Sequence, residues 1–260
     1  MSKTKKDKNK INIFVIGSQK GYASWMEGNL VENIEEADLV WLTGGEDINP
    51  NIYNNNRGSR THFNDKRDTL EIEYTHKAVK LGLPIFGTCR GAQMLCALAG
   101  GTLVQDMSHP YAHTIKFWDG TIVETNSLHH QLQFPFCMKS NKYKVLAWAE
   151  GLSNYHLNGS DQKMLLPTEK DNDNIIMEPE LVYYKELNAL GIQGHPEMMS
   201  TNSQLVKILK MLTYRLINNT LEEVINKGTE LSKLMIFDDD LEEELTTVDS
   251  SEFYMHDIWD

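Results

Sequence analysis

The sequence predicts an α/β protein built on a mainly parallel sheet with helices on both faces. Short apolar runs alternate with longer amphipathic stretches along most of the chain, the pattern of repeated βα units. With 260 residues, 40% of them hydrophobic, the chain is long enough to bury one large core. Three chemically notable turns, Gly44-Gly45, Cys89 and His195, each follow an apolar run directly. In parallel α/β sheets, sites gather beyond the C-terminal ends of the strands, so these turns are expected on one rim.

Taken in order, residues 1–10 read as a disordered basic tail. Residues 11–17 form a first strand, ended by Gly17-Ser18, and residues 22–36 have room for a helix. Residues 37–42 form a second strand, running into Thr43-Gly44-Gly45-Glu46-Asp47-Ile48-Asn49-Pro50. The Asn-rich stretch 51–66 reads as a loop. Apolar residues at Leu70, Ile72, Tyr74, Ala78 and Val79 predict an amphipathic helix over 68–81, capped by Gly82. Residues 83–86 are a buried strand, and residues 94–99 a buried helix closed by Gly100-Gly101.

Further strands are expected at 101–105, 121–125, 144–149, 181–184 and 191–193. Residues 109–119 look like a loop and 151–174 like a polar surface excursion. Residues 204–218 carry Leu205, Ile208, Leu209, Leu212, Leu216 and Ile217 in helical register. A further helix is expected at 221–234, followed by an acidic tail. The organisation expected is therefore a tail over 1–10, one α/β domain over 11–218, and a C-terminal helix with acidic tail over 219–260.

Composition narrows the function. The net charge is −12, but residues 1–10 carry five Lys against one Asp, and residues 238–260 carry ten acids and no Lys or Arg. Setting aside a net +4 at one end and −10 at the other leaves an acidic body of −6, a poor direct binder of nucleic acid. No run of about 18 apolar residues is present, so no membrane-spanning segment is expected. The basic N-terminus lacks the apolar core of a secretory signal. Cys89, Cys96 and Cys137 form no CxxC pair, which fits a reducing, cytoplasmic setting rather than a disulfide framework.

The chemistry centres on Gly87-Thr88-Cys89-Arg90-Gly91-Ala92-Gln93. A small-residue turn between a buried strand and a buried helix, with a nucleophile at its apex, is a nucleophile elbow. Cys89 then lies at a helix N-terminus, where the dipole favours thiolate. A cysteine hydrolase also needs a base, a group that orients the base, and oxyanion donors. His195 is the natural base, held by Pro196, and Glu197 is placed to fix its tautomer. The backbone N–H groups of Arg90 and Gly45 are the expected oxyanion donors.

These residues belong to a longer set. The elbow, the Gly44-Gly45 segment, Arg67-Asp68 with Glu71, Gly100 to Asp106, Asn126-Ser127-Leu128-His129-His130-Gln131, and Gln193-Gly194-His195-Pro196-Glu197 occur in one order. In these motifs, over about residues 11–218, the chain resembles class I glutamine amidotransferases. It looks most like the stand-alone γ-glutamyl hydrolases of the γ-glutamyl-γ-aminobutyrate hydrolase type. The resemblance implies a flavodoxin-like three-layer fold, a Cys89–His195–Glu197 triad and a glutamyl thioester on Cys89 resolved by water. It further implies a substrate pocket involving Gly44, Gln93, Asn126, Ser127 and His129. It implies no cofactor. The leaving amine is unspecified: glutamine or a γ-glutamyl amine. A glutaminase subunit that passes ammonia to a separate synthetase is the alternative.

Other residues carry plainer readings. Cys96 in an apolar helix and Cys137 in Phe134-Pro135-Phe136-Cys137 read as packing cysteines. Arg67, Asp68 and Glu71 read as a structural polar network beneath the site. His129 and His130, adjacent at a strand end, point in different directions, and no Asp/Glu/Cys set stands near at ligand spacing, so no metal site is expected. His109 and His113 read as loop histidines without function, since Pro110 disfavours a helix there. The acidic tail ends in Phe253-Tyr254 and Trp259, so it reads either as a solvated tail or as a docking segment for a synthetase or a second copy of the chain.

Overall fold

The computed structural model describes residues 10–17, 25–170 and 172–234, without the side chains of residues 172 and 173. The N-terminal tail before residue 10 and the acidic tail lie outside the described residues.

The elements run β1 (Asn12–Ile16), β2 (Asn29–Val31), β3 (Leu39–Leu42), α1 (Asp65–Leu81), β4 (Ile85–Thr88) and α2 (Arg90–Leu98). Then come β5 (Thr102–Val104), β6 (Asp106–Met107), β7 (Ala112–Phe117), β8 (Ile122–Asn126), β9 (Leu132–Phe134) and β10 (Tyr143–Glu150). The last are β11 (His156–Leu157), β12 (Thr168–Glu169), β13 (Asn172–Tyr184), β14 (Ala189–Ile192), α3 (Gln204–Ile217) and α4 (Leu221–Asn226).

The main sheet has the order β2-β1-β3-β4-β14-β13-β10-β7-β8. Its first five strands are all parallel. Counting parallel strands alone, that order is 2-1-3-4-5, the flavodoxin-like arrangement. The rest of the sheet is antiparallel, an extension by β13, β10, β7 and β8.

The parallel strands are apolar throughout because both faces are covered. Ile13, Val15, Leu39, Trp41, Phe86 and Ile192 face a core closed by Leu205, Ile208, Leu209 and Leu212 of α3. Their neighbours one residue along, Phe14, Ile16, Val40, Leu42 and Ile85, face the opposite core with Ala78 of α1 and Met94, Leu95 and Ala97 of α2. This alternation makes three layers. Among the described residues no helix is long and apolar enough to cross a membrane.

Four expectations change. Within the stretch expected as a helix over 22–36, residues 29–31 form edge strand β2 and residues 34–36 a single 3₁₀ turn. Gly28 lets this segment press on β1, where a Cβ would lie 2.5 Å from Ile13 Cδ1. Most of the loop expected at 109–119 is strand β7, with His113, Ile115 and Phe117 buried on alternate positions. The strand expected at 181–184 begins much earlier, at Asn172. The helix expected over 221–234 is broken: α4 stops at Asn226, Gly228 follows in a left-handed conformation (φ 61°), and helix resumes at 231–234.

Candidate active site

Cys89 is the single residue between β4 and α2. Its backbone is strained, with φ 50° and ψ −108°, a region that residues with a Cβ rarely enter. The neighbouring glycines make the turn sterically feasible. A Cβ on Gly87 would lie 2.6 Å from the Gly91 carbonyl carbon, and one on Gly91 would lie 2.3 Å from the Leu42 carbonyl oxygen. The N–H of Cys89 donates to the carbonyl of Ile192 at 2.7 Å, tying the elbow to the end of β14.

His195 follows β14 by three residues. Its Nδ1 is 2.7 Å from Glu197 Oε1. Asn126, at the end of β8, holds the His195 backbone from both sides. Its Oδ1 accepts from the His195 N–H at 2.7 Å, and its Nδ2 donates to the His195 carbonyl at 2.9 Å. Burial works to lower the His195 pKa, but its hydrogen bonds with Cys89 and Glu197 outweigh burial and raise it to about 10. Gly44 lies between these groups: a Cβ there would be 2.5 Å from His195 Cε1 and 3.5 Å from Cys89 Cβ.

Beneath the elbow is a buried charge network. The Arg90 guanidinium, fully buried, pairs with Asp68 and Glu71. Arg67 pairs with Glu71 and Glu46, each at 2.9 Å, and donates to the carbonyls of Thr43 (3.1 Å) and Gly44 (2.8 Å). Gly45, at φ 153°, passes so close that a Cβ would lie 2.0 Å from Arg67 Nη1. Burial raises the Asp68 and Glu71 carboxyls above their ordinary range, with Arg90 pulling the other way. Arg67, Asp68 and Glu71 thus form the structural network expected of them. With Arg90 they set the height of the Gly44-Gly45 loop against Cys89.

The other residues expected to bind substrate are buried, each with hydrogen bonds of its own. Gln93 is buried and donates to the Gln131 carbonyl at 3.1 Å. The Ser127 N–H donates to the Tyr111 carbonyl at 2.6 Å. The His129 ring is buried, with Nδ1 2.9 Å from the Gln131 carbonyl and Nε2 3.7 Å from Glu180 Oε1. His130 turns elsewhere, its Nε2 3.1 Å from Asp47 Oδ1. Cys96 is buried, and its burial pushes the thiol up to about 12. Cys137 is exposed rather than packed, because it ends a 3₁₀ turn at the surface.

Sequence reasoning missed two features. One is the clamp of Asn126 on His195. The other is a buried histidine cluster in which His109, His113, His129 and His156 meet Glu178 and Glu180. A signal for the second was present: two acids at i and i+2 lead straight into the apolar run Leu181-Val182-Tyr183-Tyr184.

The strand order, with Cys89, His195 and Glu197 gathered where β4 and β14 end, defines a flavodoxin-like α/β protein with a thiol–imidazole–carboxylate cluster at its C-terminal rim. More particularly, residues 24–197 match the peptidase C26 family, and the chain belongs to that family. It is 27% identical over 177 residues to a putative glutamine amidotransferase-like protein, YvdE, of Lactococcus lactis, covering 65% of this chain and 70% of the relative. It is 24% identical over 194 residues to the γ-glutamyl-γ-aminobutyrate hydrolase of Escherichia coli O157:H7, covering 70% and 73% of the two chains. A solved glutamine amidotransferase from Thermotoga maritima superposes with a TM-score of 0.48 at 15% identity, covering 90% of this chain and 93% of that one.

Proposed function

We propose that the chain hydrolyses a γ-glutamyl amide bond, in glutamine or a γ-glutamyl amine, with Cys89 as nucleophile. One observation carries the reading. A strained cysteine at a strand–helix elbow and a histidine whose Nδ1 is held by Glu197 at 2.7 Å flank Gly44 together.

In this mechanism the Cys89 sulfur attacks the side-chain carbonyl carbon, and His195 holds the thiol proton. The carbonyl oxygen becomes an oxyanion facing the N–H groups of Arg90 and Gly45. Arg90 is the first residue of α2, so its N–H has no acceptor within the helix. The C–N bond breaks, and the amine leaves with the proton from His195. Water then adds to the thioester and gives a proton to His195; the C–S bond breaks, releasing a glutamyl carboxylate and the thiol. Glu197 orients His195 throughout. Gly44 keeps the space between His195 and Cys89 clear, and Gln93, Asn126, Ser127 and His129 belong to the segments that wall the glutamyl end.

A second reading keeps this chemistry and makes the chain a glutaminase that delivers ammonia to a synthetase. The name of the Lactococcus relative favours it. One experiment separates the two. The purified chain is assayed with glutamine and a panel of γ-glutamyl amines, then treated with a glutamine-analogue alkylator and mapped by mass spectrometry. Turnover by the chain alone, with label on Cys89, supports the hydrolase. Silence until a synthetase is added supports the second reading. Full turnover by Cys89→Ala overturns both.

A further inference from the structure

The buried histidine cluster is not used by the chemistry above, and its geometry differs from that of ordinary His–Glu pairs. Glu178 and Glu180 are two residues apart on β13 and face the same side. Glu178 is fully engaged. It accepts from the N–H groups of Leu152 (2.7 Å) and Ser153 (3.0 Å), and contacts His156 Nε2 at 2.7 Å and His109 Nε2 at 2.9 Å. Glu180, equally buried, has no hydrogen-bond partner on either oxygen among the described residues.

Three imidazole nitrogens nevertheless point at one oxygen, Glu180 Oε1. They are His109 Nδ1 at 3.3 Å, His113 Nε2 at 3.3 Å and His129 Nε2 at 3.7 Å. Each of these nitrogens also lacks a hydrogen-bond partner. Charged His–Glu hydrogen bonds close to about 2.7–2.9 Å, as those of Glu178 and the His195–Glu197 pair do. The Glu180 set stands off instead. A tetrahedral site with ligand bonds of about 2.0–2.2 Å has edges of about 3.4 Å between ligand atoms, close to the 3.3 Å and 3.7 Å at which His109 Nδ1 and His129 Nε2 stand from Glu180 Oε1.

The far sides of the His109 and His129 rings agree with this, whereas His113 Nδ1 has no hydrogen-bond partner among the described residues. Metal-bound histidines pass their other ring N–H to a carboxylate or a backbone carbonyl. His109 presents Nε2 to Glu178, and His129 presents Nδ1 to the Gln131 carbonyl. Both rings are thereby oriented with a bare nitrogen toward Glu180.

We propose that His109, His129 and Glu180, whose ligand atoms lie within 4.8 Å of one another, bind a divalent transition-metal ion of the zinc class. Imidazole and carboxylate donors suit zinc, and the three side chains are at most 1% exposed, so the ion is buried. The ion joins the segment before β7, the segment after β8, and β13. It anchors the backbone three residues beyond Asn126, the residue that clamps His195. The proposal does not depend on the γ-glutamyl reading.

The test uses the full chain. Zinc content is measured after purification and after removal with a strong chelator, followed by zinc titration, thermal melts and X-ray absorption at the zinc edge. The expected result is about one tightly held zinc ion per chain, a shell of nitrogen and oxygen only, and a Tm that falls on removal and recovers on re-addition. Cys89→Ser retains the ion. Glu180→Gln and His129→Ala lose it, and Glu178→Gln weakens it about 10–100-fold. A folded wild-type chain that takes up no zinc and shows no Tm change overturns the proposal, as does sulfur in the shell or undiminished binding in Glu180→Gln. If Glu180→Gln does not fold, wild-type stoichiometry and shell composition still decide.

Discussion

Gly44 and His195 touch so closely that position 44 has no room for a side chain: a Cβ there would fall 2.5 Å from Cε1 of the imidazole. The same Cβ would stand 3.5 Å from that of Cys89. The absent side chain at position 44 is therefore part of how His195 and Cys89 come together. Gly44→Ala is expected to push the His195 ring away while leaving the sheet intact. Misplacing a reacting group by about 1 Å costs on the order of 100-fold in rate, so kcat should fall by that order with a nearly unchanged far-UV CD spectrum. Steady-state kinetics beside thermal melts check it.

The Cys89 backbone sets up an unusual comparison. Replacing a residue with glycine ordinarily costs stability relative to alanine. At φ 50° and ψ −108° the order should reverse, because alanine keeps the strain and glycine relieves it. Cys89→Gly should be more stable than Cys89→Ala by about 1–2 kcal/mol, and both should lack turnover. Urea denaturation of the two variants decides the sign.

His195 makes stability depend on pH in a definite direction. Its pKa is raised in the folded protein to about 10 from an ordinary 6.5. The proton is bound more tightly in the native state, so its stabilising contribution is complete below about pH 6.5 and is lost as pH rises through about 10. The stability difference between wild type and His195→Gln should narrow across that window. Since Cys89 is a cause of the rise, Cys89→Ala should lower the His195 pKa, which ¹⁵N NMR of the imidazole would report.

The Arg90 guanidinium lies between two buried carboxylates, Asp68 and Glu71. Removing one partner of a buried ion pair leaves an uncompensated charge, at a cost of about 3–5 kcal/mol. Arg90→Met should lose stability on that scale, and Arg90→Lys should recover only part, since an ammonium cannot fork onto both acids. Chemical denaturation measures the loss.

Asn126→Ala removes both hydrogen bonds to the His195 backbone. At about 0.5–1.5 kcal/mol each, the loss of stability should be about 1–3 kcal/mol. A larger effect on kcat than on KM would mark Asn126 as a positioning residue rather than a substrate ligand.

Much of this protein is legible in its residues because the relevant forces are local. A buried parallel strand must be a short apolar run, so β1, β3, β4 and β14 announce themselves. An elbow needs glycines at fixed offsets, so Gly87 and Gly91 mark Cys89. His195 and Glu197 are two residues apart, and their contact is short-range. The family follows from the order of such motifs.

What only the tertiary structure decided is long-range. The antiparallel half of the sheet depends on pairing β10 with β13 and with β7, across separations that no local pattern encodes. The Asn126 clamp spans 69 residues, and the contact of Glu178 with His109 also spans 69. Each of these side chains looks ordinary in its own neighbourhood. Sheet register brings them together, and burial then makes every unpaired polar atom costly enough to require a partner. For that reason His109, His113 and His129, unremarkable in sequence, gather into one cluster only when β13 carries Glu180 between them.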